Sequence, residues 1–285
     1  MGRHLRHLVR VRSLFTLFVF VSLFAGCTGS TRVIHATRDE SAIPAPSSIK
    51  DYPEALTTAG AVIRETFGLD AHPVTLYLYS DRRAFERGLM EVEGYSPTVA
   101  EATGQYARAI GSRGKILVNV DGLERTPWPD RVRLLAHELT HVAQFSLSGG
   151  VRSNSDQWLR EGFADWISFQ VVERLGVDRY RRLRNDLAAR LAVASHREPL
   201  PSLSALASFS HWDAVRDQRG VTVTYGVAFF AVEHLLAARS PQAVIEYFRL
   251  FTISQDRRQN FRLAFGTDPD DFEVEFSRIL ESILR

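Results

Sequence analysis

The sequence is poor in cysteine and lysine: its 285 residues include one cysteine, Cys27, and two lysines, Lys50 and Lys115. A lone cysteine excludes an internal disulfide and any metal site built from several thiolates, so a bound metal ion would need histidine and carboxylate ligands. The basic residues are nearly all arginines, spread along the chain without a polybasic run, and the net charge is +2. This distribution gives no electrostatic support for nucleic-acid binding, and we expect no nucleic-acid partner.

The apolar segment near the N-terminus, residues 13–25, is too short to span a membrane, which takes roughly 20 helical residues. Four arginines precede it and Gly26-Cys27 follows it, a layout that predicts a signal peptide over residues 1–26. Its end, Phe24-Ala25-Gly26-Cys27, resembles the lipobox of bacterial lipoproteins. The resemblance implies export, acylation of Cys27 and a lipid anchor in the bacterial membrane, with the protein facing the periplasm. Phe24 departs from the usual aliphatic residue, so an ordinary signal peptide or short anchor is the alternative.

The remaining chain is expected to form a flexible tether over residues 27–49 and one domain over residues 50–285. Proline and serine between residues 43 and 48 favour the tether. Helical spacing from 52 to 67 and a β-rich run at 74–79 predict a helix and a strand, and Asp81 is a good cap for a helix over 82–90. This order predicts an α+β fold with its helices gathered toward the C-terminus. Further predicted elements are a hairpin of 105–110 with 115–120 and helices near 129–147, 156–175, 178–195, 222–239, 241–253 and 270–284.

The most informative motif is HELTH at residues 137–141, an HExxH sequence within an amphipathic helical pattern. Its spacing places His137 and His141 one helical turn apart, so both imidazoles can reach the same ion. The alternative interpretation is a core helix with two incidental histidines. A third ligand is needed to decide, because catalytic zinc sites commonly use three protein ligands and leave one position for water.

A candidate third ligand, Glu161, follows His141 after nineteen intervening residues, within Trp158–Trp166 (WLREGFADW). HExxH followed at this interval by WLxEGxA is similar to the gluzincin metallopeptidases, specifically the peptidase MA-like domains of bacterial envelope proteins. The resemblance covers about residues 50–284, and its specific motifs lie within 137–166. It implies a zincin-like fold, one zinc ion per chain bound by His137, His141 and Glu161, and a catalytic Glu138.

The resemblance also suggests roles for residues around this centre. Asp165, four residues after Glu161, is expected to support a zinc-bound histidine, as carboxylates commonly do for ligating imidazoles. The alternative for both acidic residues is a solvated face. Tyr225, in the segment YGVAFFA, resembles a tyrosine that a later helix brings toward the zinc, where it would stabilise an oxyanion. A core aromatic is the alternative for Tyr225, and His211 and His234 are rivals for its role.

The implied activity is hydrolysis of peptide bonds in a peptide or protein substrate, with Glu138 taking a proton from water and delivering it to the leaving amine. The G-x-M-E-N segment of the related aminopeptidases is missing ahead of HExxH, which favours an endopeptidase. We expect the substrate strand to lie along the sheet edge near Lys115–Val120.

Two other functions fit the same pattern. The first is a membrane-tethered binding protein or chaperone that retains a zincin-like fold without activity. The second is a zinc hydrolase that acts on a cell-wall amide. A binding protein would have no need for Glu138, so the intact set of residues favours the enzyme.

Overall fold

The structure, a computed structural model, describes residues 22–23, 30–36, 49–71 and 73–285. The predicted acylation site, Cys27, and most of the predicted signal peptide lie outside these residues. Within them the chain forms a mixed α and β fold that is mostly helical, which confirms the α+β prediction.

A small sheet carries the N-terminal part of the fold. Its strands are β1 (Ser22–Leu23), β2 (Thr31–Ala36), β3 (Val74–Tyr79), β4 (Ala109–Ser112) and β5 (Lys115–Asn119), in the order β1-β2-β3-β5-β4. β2 pairs antiparallel with β1 and β3, β3 pairs parallel with β5, and β4 and β5 form an antiparallel hairpin. β4 is therefore the edge strand and β5 lies inside the sheet. The expectation of a sheet edge near Lys115–Val120 is wrong.

Strand β2 lies inside the segment predicted to be a tether. Its residues TRVIHA alternate in exposure, with Ile34 and Ala36 buried against the core. All six residues of β2 pair with β3. The tether prediction is thus wrong for residues 31–36, because the neighbouring proline and serine residues outweighed a short alternating pattern.

The predicted hairpin is present but begins later than expected. Gln105 and Tyr106 end a helix, and the first strand of the hairpin is Ala109–Ser112. Ser112 pairs with Lys115, which leaves Arg113 and Gly114 as a two-residue turn. Gly114 has φ +65°, a left-handed conformation that glycine adopts without strain.

Eleven α-helices occur among the described residues, and six of the eight that follow residue 127 were predicted. Asp81 caps α2 as expected, accepting a hydrogen bond from the Ala84 amide. α3, α7 and α10 were not predicted. The helices are α1 (Tyr52–Phe67), α2 (Arg82–Glu93), α3 (Pro97–Tyr106), α4 (Trp128–Leu147), α5 (Gln157–Arg174), α6 (Tyr180–Ser195), α7 (Phe209–Arg219), α8 (Val221–Ala238), α9 (Pro241–Leu250), α10 (Arg257–Phe265) and α11 (Pro269–Ile283).

Helix α5 lies at the centre of the core, packed between α4 and α8. The approach of α5 to α8 is close at Gly162, where an added Cβ would overlap the Ala228 carbonyl group. α8 is the one helix in the described part of the chain that is long and apolar enough to cross a membrane. More than half of it is buried within the protein, so its apolar composition is explained by its place in the core.

Candidate metal centre

Helix α4 presents HExxH toward a cavity. One stripe of the helix is fully buried in the core, formed by Val132, Leu135, Ala136, Leu139, Val142 and Ala143. His137, Glu138 and His141 project from the helix to the cavity side, and they are 9%, 5% and 8% exposed. The apolar stripe therefore fixes the orientation of the motif.

Three side chains from α4 and α5 converge on one point. His137 Nε2 lies 3.0 Å from His141 Nε2, and each of these nitrogens lies 3.3 Å from Glu161 Oε2. All three residues are buried, and their ligand atoms are close enough to hold one metal ion. The sequence prediction that His137, His141 and Glu161 would come together agrees with this geometry.

A second layer of contacts orients each of these side chains. Asp165 Oδ1 lies 2.9 Å from His137 Nδ1, and Gln144 Oε1 lies 2.9 Å from His141 Nδ1. Gln157 donates a hydrogen bond of 2.6 Å from Nε2 to Glu161 Oε1. Since both Nδ1 atoms face acceptors, they carry the ring protons, and both Nε2 lone pairs are free for a metal ion.

The charge distribution of the cluster fits a cation. Two imidazole lone pairs and a carboxylate oxygen face one another, and no hydrogen-bond donor separates them in this tautomeric state. Burial opposes ionisation of the Glu161 carboxyl, but the two imidazoles hold its pKa well below the usual range. Burial also opposes protonation of His137, but Asp165 and Glu161 raise its pKa well above the usual value, so a proton and a metal ion compete for its Nε2 lone pair. The site therefore favours positive charge, and the donor set of two nitrogens and one oxygen suits zinc.

Glu138 points to the edge strand of the sheet. Its Oε2 accepts a hydrogen bond of 2.6 Å from the backbone amide of Gly111 in β4. An added Cβ at Gly111 would lie 2.9 Å from the Glu138 carbonyl carbon, so only glycine allows β4 to approach α4 this closely. Burial raises the pKa of the Glu138 carboxyl, which makes it a stronger base than an exposed glutamate.

Tyr225 of α8 borders the cluster, but its two rivals do not. The Tyr225 ring centroid lies 6.2 Å from that of His137, and Trp212 packs on the tyrosine edge to face at 5.1 Å. Burial, with the charges of Glu161, Asp165 and Glu138, raises the Tyr225 pKa well above 10, so the hydroxyl stays a hydrogen-bond donor at neutral pH. His211 is exposed, and His234 Nε2 lies 3.2 Å from Glu275 Oε1; neither lines the cavity.

The cavity in front of the cluster has a volume of about 520 Å³ and is lined by both acidic and basic side chains. β4 forms one wall. Six arginines reach the lining, and sequence reasoning did not single out any of them. Two of them carry ion pairs, Arg133 with Asp130 and Arg216 with Asp213 and Asp217. The others are Arg108, Arg152, Arg160 and Arg190.

Arg160 is the most buried of these arginines. Burial and the neighbouring charge of Arg152 lower its pKa to about 10, so its guanidinium remains charged at neutral pH. Its backbone carbonyl accepts a hydrogen bond of 3.0 Å from Gln144 Nε2, the amide that contacts His141. Gln144 and Gln157 were not predicted, because an isolated glutamine carries no recognisable motif.

Comparisons with protein-family models, curated proteins and solved structures find no match to this chain. The assignment of chemistry to the site therefore depends on its own geometry and on the motifs that it contains.

Proposed function

We propose that the chain is a zinc-dependent metallopeptidase of the gluzincin type, an endopeptidase acting on peptides or proteins in the bacterial cell envelope. The observation that carries the proposal is the convergence of His137, His141 and Glu161 with Glu138 beside them in a cavity. A purely structural metal site is usually closed by four protein ligands. Among the described residues this group has three, and it opens onto a cavity large enough for a peptide segment.

Zinc bound by these three residues would act as a Lewis acid and lower the pKa of a coordinated water to about 7. Glu138 would take the proton of the attacking water. Its Oε2 is held by the Gly111 amide, so Oε1 is the oxygen free to accept that proton. Because Glu138 is buried, its protonated form is stabilised, and the same carboxyl would then pass the proton to the leaving amine.

Tyr225 would stabilise the oxygen on which negative charge develops. Its hydroxyl stays protonated at neutral pH, and its ring stands beside His137 at the cavity wall. A hydrogen bond donated to the developing oxyanion is typically worth about 10²- to 10³-fold in rate. The substrate backbone would lie along β4, which is the sheet edge on the cavity side.

The test of the enzyme is Glu138→Gln, with Glu93→Gln as the matched control. Glu93 lines the same cavity but binds Ser112 and Lys115, away from the metal cluster. We expect Glu138→Gln to keep stoichiometric zinc and to lose about 10²- to 10⁴-fold in hydrolysis of denatured casein, because it lacks only proton transfer. Glu93→Gln should retain zinc and activity, and a chelator should abolish activity in both the parent and the control.

Equal hydrolysis by the parent and Glu138→Gln would show that another group is the base. A different result would be that the parent and both variants bind zinc but hydrolyse none of a range of protein, peptide and peptidoglycan substrates. That result would favour the membrane-tethered binding function instead.

We further propose that Cys27 is acylated and anchors the protein to the membrane. The support is the signal layout of residues 1–26 and the lipobox resemblance. Mass spectrometry of the N-terminal peptide from the membrane fraction should find a diacylated or triacylated Cys27. A soluble protein cleaved at another residue would contradict this proposal.

A further inference from the structure

Arg160 presents an unpaired charge inside the cavity wall. Its side chain is 3% exposed, and its Nη1 atom is buried without a hydrogen-bond partner. Within the described part of the chain its guanidinium forms no ion pair with a carboxylate. Its guanidinium instead packs on the face of Phe145, whose ring centroid lies 5.2 Å from the Arg160 Cζ atom.

A buried guanidinium without an acidic partner is costly, so its presence requires an explanation. The other arginines of the cavity do not share this state. Arg133 and Arg216 carry ion pairs, and Arg108, Arg152 and Arg190 are exposed to water. Among the described residues, Arg160 thus differs from the other lining arginines in being buried without an ion pair, although the charge of Glu161 acts on it in part.

A second arginine of the cavity lining, Arg152, is exposed to water and close enough for its charge to act on Arg160. Arg152 stacks on Phe209, with its Cζ atom 4.0 Å from the ring centroid, and donates a hydrogen bond of 3.2 Å to Gln157 Oε1. It also has no ion pair among the described residues, and its charge acts on Arg160. The charge of Arg152 lowers the Arg160 pKa, which means that the two positive groups repel each other, and an anion bound at both would reduce the repulsion.

The position of this pair relates it to the metal cluster. Phe145 is one helical turn beyond His141 on α4, a displacement of about 6 Å, and Arg160 immediately precedes Glu161 on α5. Gln157 contacts both Arg152 and Glu161, so the two sites share one connecting side chain. At about 3.3 Å per residue of extended peptide, the displacement of Phe145 from His141 along α4 equals the length of roughly two residues of a bound substrate.

We propose that Arg160 and Arg152 form a carboxylate-binding subsite that selects peptides with a negative group within about two residues of the cleaved bond. The choice of a peptide carboxylate rests on the proposed peptidase function. The carboxylate has two sources, an acidic side chain or the C-terminal carboxyl of a short peptide, and both offer the same two oxygens to the arginine pair.

The test measures peptide binding rather than cleavage. The full chain in detergent, loaded with zinc and carrying Glu138→Gln to prevent turnover, is titrated into three fluorescent alanine-rich peptides. The first peptide has a central glutamate and blocked ends. The second has glutamine at that position and blocked ends. The third has glutamine at that position and a free C-terminal carboxyl. We expect about tenfold or greater preference for one carboxylate peptide over the blocked glutamine peptide. The preferred peptide identifies the source of the carboxylate.

Arginine variants in the same background assign the preference. The preference is the dissociation constant of the blocked glutamine peptide divided by that of the preferred carboxylate peptide. Arg160→Met should reduce this ratio to near one, and Arg152→Met should lower it in part. Arg190→Met removes an exposed arginine of the same cavity and should leave the ratio unchanged. Equal binding of all three peptides, no binding of any, or a preference that survives in Arg160→Met would overturn the proposal.

A stability measurement separates a binding role from a structural one. Arg160→Met keeps most of the buried stem and removes the uncompensated charge, so its urea midpoint should equal or exceed that of the parent. A clearly lower midpoint would mean that the guanidinium stabilises the fold, which contradicts the proposal. If Arg160→Met does not fold, Arg152→Met gives the decisive ratio. A preference for a carboxylate peptide, found in a protein that does not hydrolyse casein, would count against the peptidase function but not against the subsite. Hydrolysis of casein by a protein that binds all three peptides equally would refute the subsite but not the peptidase function.

Discussion

The close contact between α5 and α8 provides a strong test of the fold, and the substitution is Gly162→Ala. An added Cβ would lie 2.6 Å from the Ala228 carbonyl carbon and 2.9 Å from Val232 Cγ2, and nearer still to the Ala228 oxygen. Carbon atoms in contact prefer about 3.5–4.0 Å, so α5 and α8 would have to separate by about 1 Å. The clash is largely with backbone, and side-chain rotation cannot relieve it.

Two opposing effects set the size of the change. Alanine is favoured over glycine inside a helix by about 1 kcal/mol. Overpacking in a well-packed core costs about 1–3 kcal/mol, and a backbone clash belongs at the upper end. We therefore expect Gly162→Ala to lower the free energy of unfolding by about 2 kcal/mol. Since Gly162 follows Glu161, the displaced helix should also weaken zinc binding.

Urea unfolding measures the first effect, and zinc titration against a chromogenic chelator measures the second. Gly226→Ala is the matched control, because Gly226 is also buried within a helix. Its added Cβ would meet side-chain methyl groups that can move, those of Leu191 at 3.3 Å and one of Leu187 at 3.6 Å. We expect the control to lie within about 1 kcal/mol of the parent. If Gly162→Ala is as stable as the parent or more stable, the argument from helix contact is refuted.

Two further predictions concern single hydrogen bonds. Asp165→Ala should weaken zinc binding by about 10- to 100-fold, because His137 loses the partner that orients its ring. Asp186→Ala, an exposed control on α6, should not change zinc affinity. Equal zinc affinities of the parent and both variants would contradict the role of Asp165. The Ala84 amide lowers the pKa of the Asp81 carboxyl, so this group stabilises α2 above the usual aspartate pKa of about 4, and that contribution is lost as the pH falls through the lowered value. Asp81→Asn keeps a cap but does not titrate. The parent should therefore be more stable than this variant at roughly pH 6, and the difference in their free energies of unfolding should narrow as the pH falls to roughly pH 3. A difference that stays constant over this range would exclude a role for the Asp81 charge.

The sequence predicted the helices that build the metal cluster because their apolar residues repeat at helical spacing. α4 was expected at 129–147 and occurs at Trp128–Leu147, and α5 was expected at 156–175 and occurs at Gln157–Arg174. The meeting of Glu161 with the two histidines was suggested by a motif resemblance. No periodicity would have brought these helices together, since that depends on packing between distant segments.

Other features depended on pairing and packing that local patterns do not record. The edge position of β4 follows from the parallel pairing of β3 with β5, a contact between distant parts of the chain. α3 has a weak apolar stripe, so its residues PTVAEATGQY were not distinguished from a loop and the start of a strand. Gln144 lies one turn after His141 on α4, but its amide is held by the Arg160 carbonyl of α5, a contact between helices that the sequence does not record. The unsatisfied Nη1 of Arg160 is likewise a property of its surroundings.

The metal ligands also divide between two helices, which has a consequence for a chain with a single cysteine. A bound ion would join His141 to Glu161 and so close a loop of about 20 residues, as a cross-link does. Closing a loop of that length removes conformational entropy from the unfolded chain worth about 3 kcal/mol. Exported proteins commonly obtain such restraint from disulfides, whose formation depends on the redox state of the compartment. If the protein is exported and binds zinc as proposed, this restraint would depend on metal supply, and the lifetime of the folded protein would follow the zinc concentration outside the cytoplasm.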